Sequence, residues 1–152
     1  LPFSISSVPL VPVIHTGTHA GEHIPVWDSQ DMFGDTSMLV QNIEQGRDLA
    51  KTLGANRVAL MRGHGSVVAG KSLRDVVFTS VYLEINADML IKAYQLGDGE
   101  VMSMTEGEVG VATKGRAGFT YERGWENWCR LTERPYYPME WEMGPGFSKT
   151  DK

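Results

Sequence analysis

Cysteine is nearly absent from this sequence, and long apolar runs and clusters of basic residues are missing altogether. The 152 residues include one cysteine, Cys129, so no internal disulfide can form, and we expect a reducing compartment, the cytoplasm. No stretch approaches the roughly 20 apolar residues that a membrane-spanning helix needs, so we expect no membrane partner. The net charge of -5 argues against a nucleic-acid partner, because a phosphate backbone requires clustered lysine and arginine.

Several catalytic signatures are also absent. The sequence has no Walker loop, no G-x-G-x-x-G, no G-x-S-x-G and no paired-cysteine motif. Its opening, "LPFSISSVPLVPVIH", has three prolines and no charged start, which argues against a signal peptide. It also lacks an initiator methionine, and we expect the chain to be the C-terminal part of a longer protein.

The apolar residues that are present predict alternating strands and helices. Residues 8–15 contain prolines and predict an extended segment that ends in a short strand. "IPVWD" predicts a second short strand, and the helical spacing after it predicts a helix that begins at Thr36 or Ser37. "DGEVMSMTEGEVGVATKG" predicts at most a short helix, and "YERGWENWCRLTER" predicts a last one.

The middle of the chain, "NRVALMRGHGSVVAG", predicts a β-hairpin. Its continuous apolar core indicates a strand buried on both faces, and the "GHG" turn places His64 at the tip. Ser72 and Asp75 then form a capping box that opens a long helix, which Gly97 ends.

An acidic residue, Glu84, lies within the predicted apolar face of that long helix. At about 100° per residue, the face comprises Leu73, Val76, Val77, Ser80, Glu84, Ala87 and Ile91. A carboxylate in such a place could act as a general acid or base. We favour a structural role, in which Arg57, Arg62 or a backbone donor satisfies it, because an unpaired buried carboxylate is costly.

Two interpretations of His64 remain open from spacing alone. Imidazole is the commonest metal ligand, and flanking glycines allow a tight turn that points the ring outward. The alternative is a polar turn residue, and one histidine is not a site because zinc takes three or four ligands. His15, His19 and His23 are four residues apart, but the intervening glycines disfavour a helix. We favour ordinary loop histidines over the alternative, a loop cluster that binds a metal. His15 ends the first predicted strand, where it could face a cleft.

Taken in order, these segments resemble a known family. "ALMRGHGSVVAGKSLRDVVFTSVYLEINADMLIKAYQLG" is similar to the C-terminal half of the class II aldolase/adducin family, and "PFSISSVPLVPVIH", "IPVWD" and "RGWENWCRL" are similar to its decarboxylase branch. The resemblance implies an α/β fold, a three-layer αβα domain with a mainly antiparallel central sheet. It covers residues 1–132, and a tail rich in proline and aromatic residues follows over 133–152.

The resemblance also implies a metal centre. Members hold a divalent ion, Zn, Mn or Mg, with three histidines, two from an H-x-H motif and the third from the H-G turn. His64 matches the third ligand, whereas the H-x-H and the catalytic acid are expected upstream of Leu1. His15 and Arg62 are our candidates for binding a small-molecule carboxylate substrate.

The function implied is a metal-dependent decarboxylase of a hydroxylated aromatic or ring-cleavage carboxylate. The branch includes enzymes for hydroxy-carboxymuconic semialdehyde, dihydroxyphthalate and hydroxypyridine dicarboxylate. A divalent cation stabilises the enolate-like intermediate left by loss of carbon dioxide. The alternatives are a class II aldolase or epimerase of a small sugar phosphate, and a non-catalytic adducin-like interaction domain. The family further implies a homo-oligomer, a tetramer or higher.

Overall fold

The computed structural model of the chain describes residues 2–97, 99–114 and 119–132, with the side chains of residues 119–121 excepted. The predicted tail, residues 133–152, lies outside the described residues. Among the residues described, no helix is both long enough and apolar enough to cross a membrane.

The described strands form one small mixed sheet. Its strands are β1 (Val26–Trp27), β2 (Val58–Met61) and β3 (Gly65–Val68), in that spatial order. β1 and β2 are parallel, whereas β2 and β3 are antiparallel with Met61 opposite Gly65. The hairpin and the short strand in "IPVWD" are thus confirmed. The mainly antiparallel central sheet and the three-layer arrangement both stay predictions.

The central strand is fully enclosed. All four residues of β2 are buried, with exposed fractions from 0% at Val58 to 7% at Met61. A strand covered on both faces needs apolar side chains on both, which is why "VALM" does not alternate with polar residues. β2 therefore provides a rigid base for the turn that follows it.

Helices surround this sheet and follow the predicted order in part. The long helix α3 starts after Ser72, whose hydroxyl accepts a hydrogen bond from the Asp75 backbone N–H at 3.2 Å, and it ends at Gly97. Both predicted ends are confirmed. The described helices are α1 (Ser29–Phe33), α2 (Ile43–Leu53), α3 (Leu73–Leu96), α4 (Glu106–Lys114) and α5 (Phe119–Thr132), with short 3-10 helices at Pro2–Ile5 and His15–Ala20.

Helix α2 begins later than predicted. Its N-cap is Asn42, whose side-chain oxygen accepts a hydrogen bond from the Gln45 backbone N–H at 2.9 Å. The hydroxyl of Thr36 instead accepts from the Met38 backbone N–H, which stabilises a loop. The predicted start of α2 at Thr36 or Ser37 was wrong because Asn42, an equally good N-cap residue, lies downstream.

The segment before His15 also differs from the prediction. Residues 8–15 do not pair as a strand, and His15 and His19, expected in a loop, lie in a 3-10 helix from His15 to Ala20. The backbone groups of the extended segment are bonded to a helix side chain, Asn86, instead of to a neighbouring strand. A side chain thus supplies the partners that a sheet would have supplied.

The face of α3 that packs inward matches the predicted one only in part. Ala87 is buried and Ile91 packs against the core, whereas Leu73 is 69% exposed and Glu84 is also exposed. α3 carries apolar residues on more than one side, and this leaves the buried face poorly determined by periodicity. The side chains that are buried on α3 are Asp75, Phe78, Thr79, Leu83, Asn86, Ala87 and Leu90.

An ion pair attaches the start of α3 to Arg57, the residue that precedes β2. The Arg57 guanidinium lies 2.5 Å from a carboxylate oxygen of Asp75 and donates to the Thr79 hydroxyl at 2.9 Å. The second Asp75 oxygen accepts from the Lys71 backbone N–H at 3.0 Å. The side chains of Arg57 and Asp75 are only 26% and 12% exposed, so water screens the pair little.

Replacing Asp75 with alanine is expected to lower the free energy of unfolding by about 2 kcal/mol, because charged hydrogen bonds of this kind contribute roughly 1.5–3 kcal/mol. Asp88→Ala is the matched control, since Asp88 pairs with Lys92 on the same helix but both side chains are more than half exposed. That pair is expected to contribute less than about 0.5 kcal/mol. Urea unfolding of the three proteins checks this, and equal losses would contradict it.

Candidate functional site

His64 stands at the tip of the β2–β3 hairpin, as predicted. Its backbone N–H donates to the Met61 carbonyl at 3.0 Å, which closes the turn. Gly63 and Gly65 have φ values of 68° and 145°, which L side chains rarely adopt, so the turn needs glycine on both sides. The His64 side chain is exposed on this rigid turn, accessible to an ion or a substrate.

Two other segments lie against the hairpin tip. The Gly63 backbone N–H donates to the Ser4 carbonyl at 3.4 Å, so the 3-10 helix Pro2–Ile5 lies beside the turn. The second segment is the loop between α1 and α2, where the Met38 sulfur lies 3.0 Å from the position that a Cβ on Gly63 would take. The start of the described chain and the loop before α2 therefore meet next to His64.

Met38 has an unusual backbone conformation. Its φ is 62°, and among the described residues it is the one non-glycine residue with a positive φ. The Thr36 hydroxyl fixes this conformation by accepting from the Met38 N–H at 3.0 Å, and it lies 2.7 Å from the hydroxyl of the buried Ser29. The surrounding structure thus maintains a backbone strain beside His64.

Arg62, a predicted substrate ligand, is paired with a carboxylate of this chain. Its Nε lies 2.5 Å from an Asp28 carboxylate oxygen, and its backbone N–H donates to the Trp27 carbonyl. Asp28 also caps α1, since its other oxygen accepts from the Gln30 N–H at 2.9 Å. The hydrogen bond from Arg62 is the main cause that lowers the pKa of Asp28 below its ordinary value, and the hydrogen bond from the Gln30 N–H is the second. Arg62 therefore has a fixed anionic neighbour one residue before the turn.

Replacing Asp28 with asparagine is expected to flatten the acid dependence of the free energy of unfolding. A lowered pKa stabilises the fold fully above the ordinary value of 3.8, and this contribution is lost as the pH falls through the lower folded-state pKa. Asparagine keeps the helix cap, so the change isolates the charge. The measurement is the free energy of unfolding in urea at about pH 5 and about pH 3, which lie on either side of the ordinary pKa of aspartate. The difference between the two values should be smaller in Asp28→Asn than in the wild type.

Arg62→Gln is the matched control for that measurement. It removes the Arg62 contact but leaves the hydrogen bond from the Gln30 N–H, so it should flatten the profile less than Asp28→Asn does and add nothing in the double variant. Identical acid losses in wild type and both variants would contradict the assigned cause.

His15, the other predicted substrate ligand, lies in a different cavity. It is exposed at the start of its 3-10 helix, where its carbonyl accepts from the Thr18 hydroxyl at 2.7 Å. The cavity measures about 590 Å³, and its other lining residues come from α4 and the segment before it: Met104, Thr105, Gly107, Glu108, Val111 and Ala112. No residue of the β2–β3 hairpin lines this cavity, so the cavity does not bring His15 and His64 together.

Asn86, which the sequence gave no reason to select, anchors the segment that leads to His15. Its buried amide oxygen accepts from the Val13 and Ile14 N–H groups at 2.9 and 3.3 Å, and its NH₂ donates to the Val11 carbonyl at 2.8 Å. A Cβ on Gly17 would lie 2.2 Å from that oxygen, so only glycine fits there. Asn86 therefore sets the position of the backbone on both sides of His15.

The remaining histidines do not assemble into a metal site. His19 is buried with its ring centroid 4.7 Å from that of Phe78, whereas His23 is exposed. Within residues 2–97, 99–114 and 119–132, no group of three or more His, Cys, Asp or Glu side chains could hold a metal ion. His64 fits the role of one ligand, but the described residues do not fit a complete metal centre.

Glu84 is not a buried acid. It is exposed and lines a cavity of about 430 Å³ with Ser66, Ser80 and Asp88 over an apolar floor. The arginines expected to satisfy it pair with Asp75 and Asp28 instead. The hypothesis of a burial-shifted catalytic carboxylate at this position is therefore wrong.

Comparison with known proteins relates these features to a family. The model described as "Class II Aldolase and Adducin N-terminal domain" matches residues 3–91, more than half of the chain. Decarboxylase tropJ of the fungus Talaromyces stipitatus is 28% identical over 153 aligned residues, which cover 88% of this chain and 57% of tropJ. The chain thus spans little more than half the length of this curated relative.

Solved structures include a more distant neighbour. YgbL of Escherichia coli, a candidate aldolase, epimerase or decarboxylase, superposes with a TM-score of 0.49 at 21% identity. The superposition covers 73% of this chain and 51% of YgbL.

Proposed function

Because the chain belongs to the class II aldolase and adducin family, we propose that it is part of a metal-dependent carbon–carbon lyase, a decarboxylase of a hydroxylated aromatic or ring-cleavage carboxylate. The reaction type is taken from the likeness to a decarboxylase at 28% identity. The observation that carries the proposal is the exposed His64 on a rigid hairpin turn between two glycines.

His64 is proposed as one ligand of a divalent ion, Zn, Mn or Mg. A bound divalent cation supplies a Lewis acid that stabilises negative charge on an oxygen next to the carbon that loses carbon dioxide. The other ligands must come from outside the described residues, and we propose the H-x-H motif expected upstream of Leu1. The contact between Gly63 and Ser4 supports this, since Pro2 is only two residues from Ser4 and each residue spans about 3.8 Å.

Arg62 is proposed to bind a substrate carboxylate beside His64. Its side chain is 41% exposed, and its neighbour Asp28 fixes the orientation of the guanidinium. A planar guanidinium suits a carboxylate because it offers two parallel donors. His15 stays a candidate for substrate binding, although its cavity is lined by α4 residues and not by the hairpin.

The assembly is proposed to be a homo-oligomer, a tetramer or higher, as the family resemblance implies. A site built from one histidine of the described chain needs groups from elsewhere, and a neighbouring subunit is one source of them. Sedimentation of the intact protein measures the subunit number directly.

A substrate panel tests the proposed reaction. The intact protein, loaded with Mn or Zn, is incubated with hydroxylated aromatic carboxylates and separately with sugar phosphates, and carbon dioxide and aldehydes are both measured. Carbon dioxide from the aromatic acids is the expected result. Aldehyde release from sugar phosphates without carbon dioxide would establish an aldolase instead, and no turnover of either class would favour an interaction domain.

A further inference from the structure

We propose that Met38 is a specificity-determining residue of the His64 site, whose thioether contacts the ring of an aromatic carboxylate. This inference rests on the proposed function, since it places the substrate at His64. Its basis is independent of the family, because it comes from the backbone and contacts of Met38 itself.

The contact between Met38 and the hairpin places its side chain beside His64. The Met38 sulfur lies 3.0 Å from the position of a Cβ on Gly63, so Gly63 is kept free of a side chain where the thioether packs. Gly63 is bonded to His64, and their Cα atoms are about 3.8 Å apart. The side chain of Met38 therefore ends within one residue of the proposed ligand.

The backbone of Met38 indicates that this placement is maintained at a cost. A φ of 62° is unfavourable for a residue with a Cβ, and Thr36 and Ser29 fix it through their hydroxyls. A loop without a task would relax, or would carry glycine or asparagine at such a position. Strain that the surroundings maintain is found mainly at functional sites.

The chemistry around His64 matches a flat substrate with one charged group. Met38 is 39% exposed, and the following Leu39 and Val40 are 45% and 40% exposed, so the loop beside the contact presents apolar surface to solvent. Arg62, the residue before Gly63, supplies a guanidinium that is 41% exposed beside its partner Asp28. Methionine sulfur makes favourable contacts with aromatic rings, so the ring would pack on Met38 while the carboxylate faces Arg62.

Binding measurements separate this role from the reaction itself. Titration calorimetry on the manganese-loaded intact protein uses two probes, 2,3-dihydroxybenzoate, which has a ring, and lactate, a hydroxy acid without one. Met38→Asn removes the thioether and tolerates the positive φ. Met102→Asn is the matched control, because Met102 is 98% exposed. Met38→Leu keeps an apolar side chain of similar volume and removes the sulfur.

The expected result is a loss that is specific to the ring. Met38→Asn should raise the Kd of 2,3-dihydroxybenzoate about tenfold and leave that of lactate within about twofold. Met38→Leu should fall between, and Met102→Asn should match the wild type. Should ring-selective loss occur in a protein that releases no carbon dioxide, the role of Met38 stands and the decarboxylase proposal fails.

Three results of the titrations would overturn the role of Met38. They are no binding of 2,3-dihydroxybenzoate by the wild type, equal affinity in wild type and Met38→Asn, and equal weakening of both probes. A change in subunit number in Met38→Asn would likewise overturn it, because the apolar surface of this loop would then be a contact between subunits.

Discussion

His64→Ala is expected to lower carbon dioxide release by at least about 10²-fold and to reduce the bound divalent metal, since loss of even a supporting residue of a metal site costs 10–100-fold. The side chain is exposed on a turn closed by backbone groups, so removing it should leave the free energy of unfolding within about 0.5 kcal/mol of wild type. The loss would therefore reflect chemistry and not folding.

The control for His64 is another exposed histidine of the same chain. His23→Ala removes an imidazole from a loop that does not contact the hairpin turn in any described hydrogen bond. It should keep both metal and activity. Metal content by elemental analysis and carbon dioxide release are measured on the intact protein for both variants. Full activity and metal in His64→Ala would remove His64 from the site.

Asn86→Ala is expected to lower the free energy of unfolding by about 3 kcal/mol, because it leaves buried or half-buried backbone groups unpaired at roughly 1–3 kcal/mol each. The amide holds three backbone groups between Val11 and Ile14 that no strand satisfies. For a chain of this size, the loss corresponds to a fall in Tm of roughly 6–12 °C. Gln95→Ala, which removes an exposed amide from the same helix, is the control and should change little.

Gly17→Ala tests the same packing from the opposite side. Its new methyl group would lie 2.2 Å from the Asn86 oxygen and 2.7 Å from its Cγ, so the segment must shift. In an Asn86→Ala background both atoms are gone, and most of the extra cost should disappear. Additive losses in the double variant would contradict a direct steric contact.

The local elements of the fold were predictable because their signals are local. "VALM" and the glycines around His64 specify a buried strand and a tight turn within eight residues. The Ser72 hydroxyl and the Gly97 N–H mark the ends of α3 by hydrogen bonds within one helical turn. Such features need no knowledge of what the element packs against.

The remaining features depend on contacts far apart in the chain. Asn86 and Val13 are 73 residues apart, and a buried asparagine in a helix has no periodic signature that marks its partners. The inward face of α3 was partly misassigned because it includes two polar residues, Thr79 and Asn86. Both are buried, and their hydrogen-bond partners lie in distant segments of the chain. Asp28 had a cap signal after its strand, but its pairing with Arg62 required the parallel alignment of β1 and β2.

The dependence of carbon dioxide release on divalent metal tests the central claim most directly. The intact wild-type protein is assayed with a hydroxylated aromatic carboxylate as isolated, after chelation and dialysis, and after addition of Mn or Zn. We predict release that is lost on chelation and restored by the metal. Release that persists unchanged after complete removal of the metal, or no release in any of the three states, would contradict the account.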